Sequence, residues 1–121
     1  RCGGRERMMG AETDPRELEF QAQIEALRRH FIQELPARRA ALVAAWAECA
    51  DGGDEAPWLR LRDVAHKLSG SAPNYGLDVV GEVARGLDRL LSGRTPCRER
   101  AAADGTVTRL TAALDEAIVT T

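Results

Sequence analysis

A chain of 121 residues with formal net charge −2, 44% apolar and 30% charged residues is the size of one soluble domain able to bury a core without metal or disulfides. Its arginines are scattered among glutamates and aspartates, so no basic surface recommends a nucleic-acid or anionic-membrane partner. No apolar run approaches the roughly 18 residues that cross a bilayer, and the three cysteines, Cys2, Cys49 and Cys97, are odd in number and widely spaced, which suits reduced thiols in a cytoplasmic protein.

Residues 1–12 carry glycines and charges without periodicity and are expected to be a disordered leader or an artificial remnant, with residues 13–121 forming the domain. Asp14-Pro15-Arg16-Glu17 then reads as a helix start: Asp14 as N-cap, Pro15 in the first turn and Glu17 placed to return a hydrogen bond. Phe20, Ile24, Leu27 and Phe31 define one apolar face of this helix, which is expected to pack on something. His30 flanks that face and reads as a boundary or surface residue. Pro36 should break or bend the helix. The next segment carries Leu42, Val43, Trp46 and Cys49 as its apolar set, up to the turn Asp51-Gly52-Gly53-Asp54.

A third helix begins just after that turn. Trp58, Leu61, Ala65, Leu68 and Ala72 fall on one stripe at about 100° per residue, the signature of a buried seam. His66 points roughly 120° away from the centre of that stripe and is expected to face solvent. Gly70, one turn on, leaves space beside the ring, although glycine inside a helix costs about 0.5–1 kcal/mol relative to alanine. Pro73 should end or kink the helix, and Gly76 marks the turn.

A further helix from about Leu77 to Leu91 places Leu77, Val80, Val83, Ala84, Leu87, Leu90 and Leu91 on one side, with Gly81 and Gly86 as local weak points and Ser92-Gly93 as the stop. After Pro96 a last helix carries Ala103, Val107, Leu110, Leu114 and Ala117 or Ile118 on one face. Amphipathic helices joined by short loops predict an all-α protein: an antiparallel up-and-down four-helix bundle with an additional N-terminal helix or helical extension.

The chemistry open to such a chain is narrow. The repeated Glu-x-x-His units of di-metal bundles are absent, since Leu27 precedes His30 at that spacing and Asp63 before His66 has no counterpart, so no metal is expected. There is no nucleophile elbow and no phosphate-binding glycine loop, which argues against a hydrolase and against an ATP site of the P-loop or dinucleotide-binding kind. What remains is His66. An imidazole with an unperturbed pKa of about 6.5 is largely neutral at cytosolic pH, and a neutral ring nitrogen can accept a phosphoryl group.

The run Ala65-His66-Lys67-Leu68-Ser69-Gly70-Ser71-Ala72, followed by Asn74-Tyr75-Gly76-Leu77, resembles the signature of histidine phosphotransfer (HPt) domains. The helix order over residues 15–119 is similar too, though less specific. The resemblance implies that His66 is the phosphoacceptor of a two-component multistep phosphorelay, exchanging phosphoryl groups with aspartates of response-regulator receiver domains and with a hybrid histidine kinase. It also implies no kinase activity of its own and no cofactor, the magnesium ion belonging to the receiver. Around His66, Leu59, Arg62, Asp63, Lys67, Ser69, Gly70 and Pro73 are the candidate docking and phosphate-facing residues. The family's frequent lysine three residues after the histidine is Ser69 here. Lys67 lies about 100° round the helix and substitutes poorly, whereas Arg62, one turn before His66, is placed to supply the missing charge. Two alternatives stay open: the phosphoacceptor domain of a chemotaxis-type kinase, and a helical adaptor that binds receivers without being phosphorylated. An exposed acceptor on a self-contained bundle is expected to work as a monomer.

Overall fold

A computed structural model describes residues 14–120, which are helical apart from short connections. The helices are α1 (Pro15–Gln33), α2 (Leu35–Glu48), α3 (Ala56–Ser71), α4 (Asp78–Leu91) and α5 (Arg100–Thr120), with a 3-10 turn over Ala72–Tyr75 after α3. By their own contacts the residues divide into two compact units, one up to Phe31 and one from Ile32 onward. Residues 1–12, expected to form a leader, and Cys2 among them, lie outside the described residues.

In the first unit, Asp14 caps α1 as expected, its Oδ1 accepting from the Arg16 backbone N–H at 2.9 Å. Its apolar face departs from expectation. Phe31 is buried, but Phe20, Ile24 and Leu27 are 60%, 43% and 52% exposed, so the described residues do not cover the face that periodicity marks out. Spacing reports that a helix is amphipathic, not that a surface lies against it. Pro36 acts by breaking the helix: α1 stops at Gln33 and α2 restarts at Leu35, where the missing proline N–H falls in a first turn that has no acceptor for it.

The second unit is a ring of four helices in which α2 packs on α3, α3 on α4, α4 on α5, and α5 back on α2. The core is supplied by Leu35 and Leu42 of α2, the α3 stripe, Val80, Ala84, Leu87 and Leu91 of α4, and Ala103, Leu110 and Leu114 of α5, each nearly or fully buried. Trp58, Leu61, Ala65, Leu68 and Ala72 all lie at or below 1% exposure, so the predicted α3 seam is the seam observed. Val43, expected among the apolar set of α2, is exposed, and its place is taken by Ala45; with Leu35, Leu42 and Cys49 inward, residue 43 lies about 100° from Leu42 and outside the stripe.

One end of the bundle is tied by Arg100. Its Nη1 donates to the Trp46 and Cys49 carbonyls at 2.6 and 2.9 Å, joining the Cys49 N–H that already reaches the Trp46 oxygen at 3.1 Å and helping to satisfy the carbonyls at the C-terminus of α2. The guanidinium also stands 4.0 Å from the Trp46 ring centroid, and Trp46 meets Trp58 edge to face at 6.0 Å. Cys49 is buried there, and burial pushes its thiol above the ordinary value against the opposing influence of Arg100 and two further arginines.

Candidate functional site

Pro73 sets the site's far boundary. It cannot donate to Ser69, so α3 tightens into the 3-10 turn, which Gly76 closes with φ of 82°, a conformation that glycine adopts without strain. The Leu77 N–H returns to the Ala72 carbonyl at 3.0 Å. The chain thus reverses and α4 runs back antiparallel along α3. The Pro73 ring lies against Gly81, where a Cβ would stand only 2.5 Å from the proline Cγ. Gly81 is therefore a close-packing residue of the α3–α4 seam and not merely the local weakness its sequence suggests.

His66 stands midway along that seam with 69% of its side chain exposed. Its Nδ1 lies 3.1 Å from Oδ2 of Asp88 on α4, and Oδ1 of the same carboxylate accepts from the Ser92 hydroxyl at 3.1 Å. Asp88 is 19% exposed and held from both sides. A carboxylate only accepts, so in a neutral ring the proton sits on Nδ1 and the Nε2 lone pair is left directed away from the pair. The arrangement presents a fixed nucleophilic nitrogen to solvent.

Sequence reading missed Asp88 and Ser92. The signal was present in the spacing: Asp88 follows Ala84 by four residues and precedes Leu91 by three, which places a carboxylate at the margin of an apolar stripe. Only the pairing of α3 with α4 says which side chain it meets.

The candidate neighbours divide between two sides of α3. Leu59, 44% exposed, and Asp63 turn toward α2, where with Ala41, Ala45 and Val64 they line a groove of about 500 Å³. Lys67 lies on the same side, its Nζ 3.1 Å from the Asp63 carboxylate, so its charge is committed away from the imidazole. Ser69 donates its hydroxyl to the His66 carbonyl at 2.8 Å, folded back on its own helix. Arg62 carries no ion pair or hydrogen bond among the described residues. Gly70 is exposed, and a Cβ built on it meets nothing within 4 Å. Packing within the described residues does not require glycine there.

Among the described residues no group of three His, Cys, Asp or Glu side chains could hold a metal ion, and no helix is long and apolar enough to cross a membrane. Neither the curated proteins nor the solved structures include a match to this chain. A family model described as the Hpt domain matches residues 26–119, a span that holds the four-helix ring, His66 and Asp88. The chain belongs to the Hpt domain family.

Proposed function

We propose that the protein is a phosphocarrier of a cytoplasmic multistep phosphorelay, in which His66 accepts a phosphoryl group from a receiver-domain aspartate, or from a hybrid histidine kinase, and passes it to another receiver. The observation that carries this reading is the exposed imidazole whose Nδ1 is held by Asp88. In the transfer, the Nε2 lone pair attacks phosphorus, the bond from phosphorus to the aspartyl oxygen breaks, and the carboxylate leaves with that electron pair. The ring keeps its Nδ1 proton and becomes cationic, and the Asp88 carboxylate beside it stabilises that charge.

The chain contributes the nucleophile and its orientation. The receiver would supply the magnesium ion, held by its own acidic groups, and that cation would offset the negative charge of the moving phosphoryl group. Gly70 and the exposed Pro73 on one side, and Leu59 on the other, form the open surface a receiver would cover.

Incubation with a phosphorylated receiver domain should label the protein at His66, and His66→Gln should abolish the label. Label retained by the glutamine variant would refute the assignment, and a stable receiver complex without transfer would point to an adaptor.

A further inference from the structure

Two observed contacts fix the register of the seam beside His66. His66 meets Asp88, and Pro73 meets Gly81. In an antiparallel pair, advancing seven residues on α3 matches retreating seven on α4, so both contacts belong to one register. The α3 residues Arg62, His66 and Ser69, continued by Pro73 of the 3-10 turn, therefore run level with Ser92 just past α4 and with Asp88, Arg85 and Gly81 of α4, each row spaced four, three and four residues, the helical neighbour spacing. In that register Ser69 is level with Arg85.

Arg85 is exposed and carries no ion pair or hydrogen bond among the described residues. By helical projection it lies about 60° from Asp88, on the solvent side of the seam. Arg62, the other uncommitted arginine of these rows, sits four residues before His66. At a rise of about 1.5 Å per residue, the two lie about 6 Å and 4.5 Å to either side of the His66–Asp88 pair along the helix axes, within the reach of an arginine side chain. The nearby cation Lys67, by contrast, is paired with Asp63.

We propose that Arg85, reaching across the α3–α4 seam, binds the phosphoryl group on His66 together with Arg62, and so supplies from α4 the positive charge that α3 lacks at Ser69. The inference builds on the reading of His66 as phosphoacceptor. A phosphoryl group bonded to a ring nitrogen carries close to two negative charges on three oxygens, and guanidinium groups on opposite sides match it with charge-assisted hydrogen bonds. This placement also accounts for a serine at residue 69 that spends its hydroxyl on its own backbone.

Phosphoramidate tests this without a receiver. The Nε2 lone pair attacks phosphorus, the phosphorus–nitrogen bond of the reagent breaks, and ammonia leaves with the electron pair. Labelling rate and phosphohistidine lifetime are followed by 31P NMR for the wild type, Arg62→Ala, Arg85→Ala, and Arg85→Ala combined with Ser69→Lys. Arg85→Ala is expected to lower the rate about tenfold, the worth of one charge-assisted hydrogen bond, and Ser69→Lys to restore it to within about threefold. A purely structural role for Arg85 would not be rescued by a lysine on the other helix. Wild-type rate and lifetime in Arg85→Ala, or failure of Ser69→Lys to restore them, overturns the inference while leaving His66 as acceptor; absence of label on wild-type His66 overturns the functional reading itself.

Discussion

The ring of Pro73 occupies the space into which any side chain on Gly81 would project, with Cγ and Cδ only 2.5 and 2.8 Å from the position of a Cβ. This contact joins the turn after α3 to the first turn of α4 and so holds the register that puts Asp88 beside His66. The obstructing atoms belong to a rigid ring, so Gly81→Ala must push α4 away. A loss of about 1–3 kcal/mol is expected, together with slower transfer through His66. Gly70→Ala, with open space at its Cβ, should leave thermal stability unchanged or raised by about 0.5–1 kcal/mol while weakening receiver binding. Thermal melts of the two variants, alongside their receiver affinities, separate the roles.

Asp88→Asn keeps the shape of the His66 partner but removes its charge. The imidazole then loses the group that fixes its proton on Nδ1 and stabilises the cationic product. Transfer is expected to slow by roughly 10- to 100-fold, the usual effect of removing a partner that orients a functional histidine, with little change in melting temperature because His66 is exposed. 15N NMR of the ring should show the Nδ1-protonated tautomer in the wild type and a mixed population in the variant; the same tautomer ratio in both would contradict the role given to Asp88.

Arg100 holds two carbonyls at the end of α2 and covers the Trp46 face. Arg100→Ala should destabilise the bundle by about 2–3 kcal/mol, since charged hydrogen bonds and partly buried acceptors are lost together. Denaturant unfolding measures this, and transfer by the remaining folded protein should be unchanged.

Burial raises the Cys49 thiol above its ordinary value, so less of the reactive thiolate is present at any pH below that raised value. Alkylation followed by mass spectrometry should modify Cys97, which is partly exposed, well before Cys49. The Cys49 rate should go on rising with pH after that of an ordinary thiol has levelled off. Equal rates at Cys49 and Cys97 under native conditions would contradict this.

The α3 stripe, an interruption at Pro36, the turn at Gly76 and the exposure of His66 were legible in the sequence, because each follows from local spacing or from a residue that restricts its own backbone; whether the helix breaks or bends at Pro36 was not. The exposure of Phe20, Ile24 and Leu27 among the described residues was not, since periodicity is silent about neighbours. Nor was the partner of His66: Asp88 lies 22 residues away in sequence, and only the antiparallel register of α3 and α4 brings the two together. That register in turn hangs on Pro73 and Gly81, which sequence alone marks only as a helix stop and a weak point. Lys67 shows the converse. Proximity in sequence made it a candidate, but its Nζ lies 3.1 Å from the Asp63 carboxylate on the α2 side of the helix.

The most direct test of the account is the position of the phosphoryl group after incubation with a phosphorylated receiver, read by 31P and 15N NMR on protein labelled at histidine. The account predicts one phosphohistidine, at Nε2 of His66, with the Nδ1 proton retained toward Asp88. Phosphorylation at Nδ1 of His66, at His30 or at no histidine would contradict it.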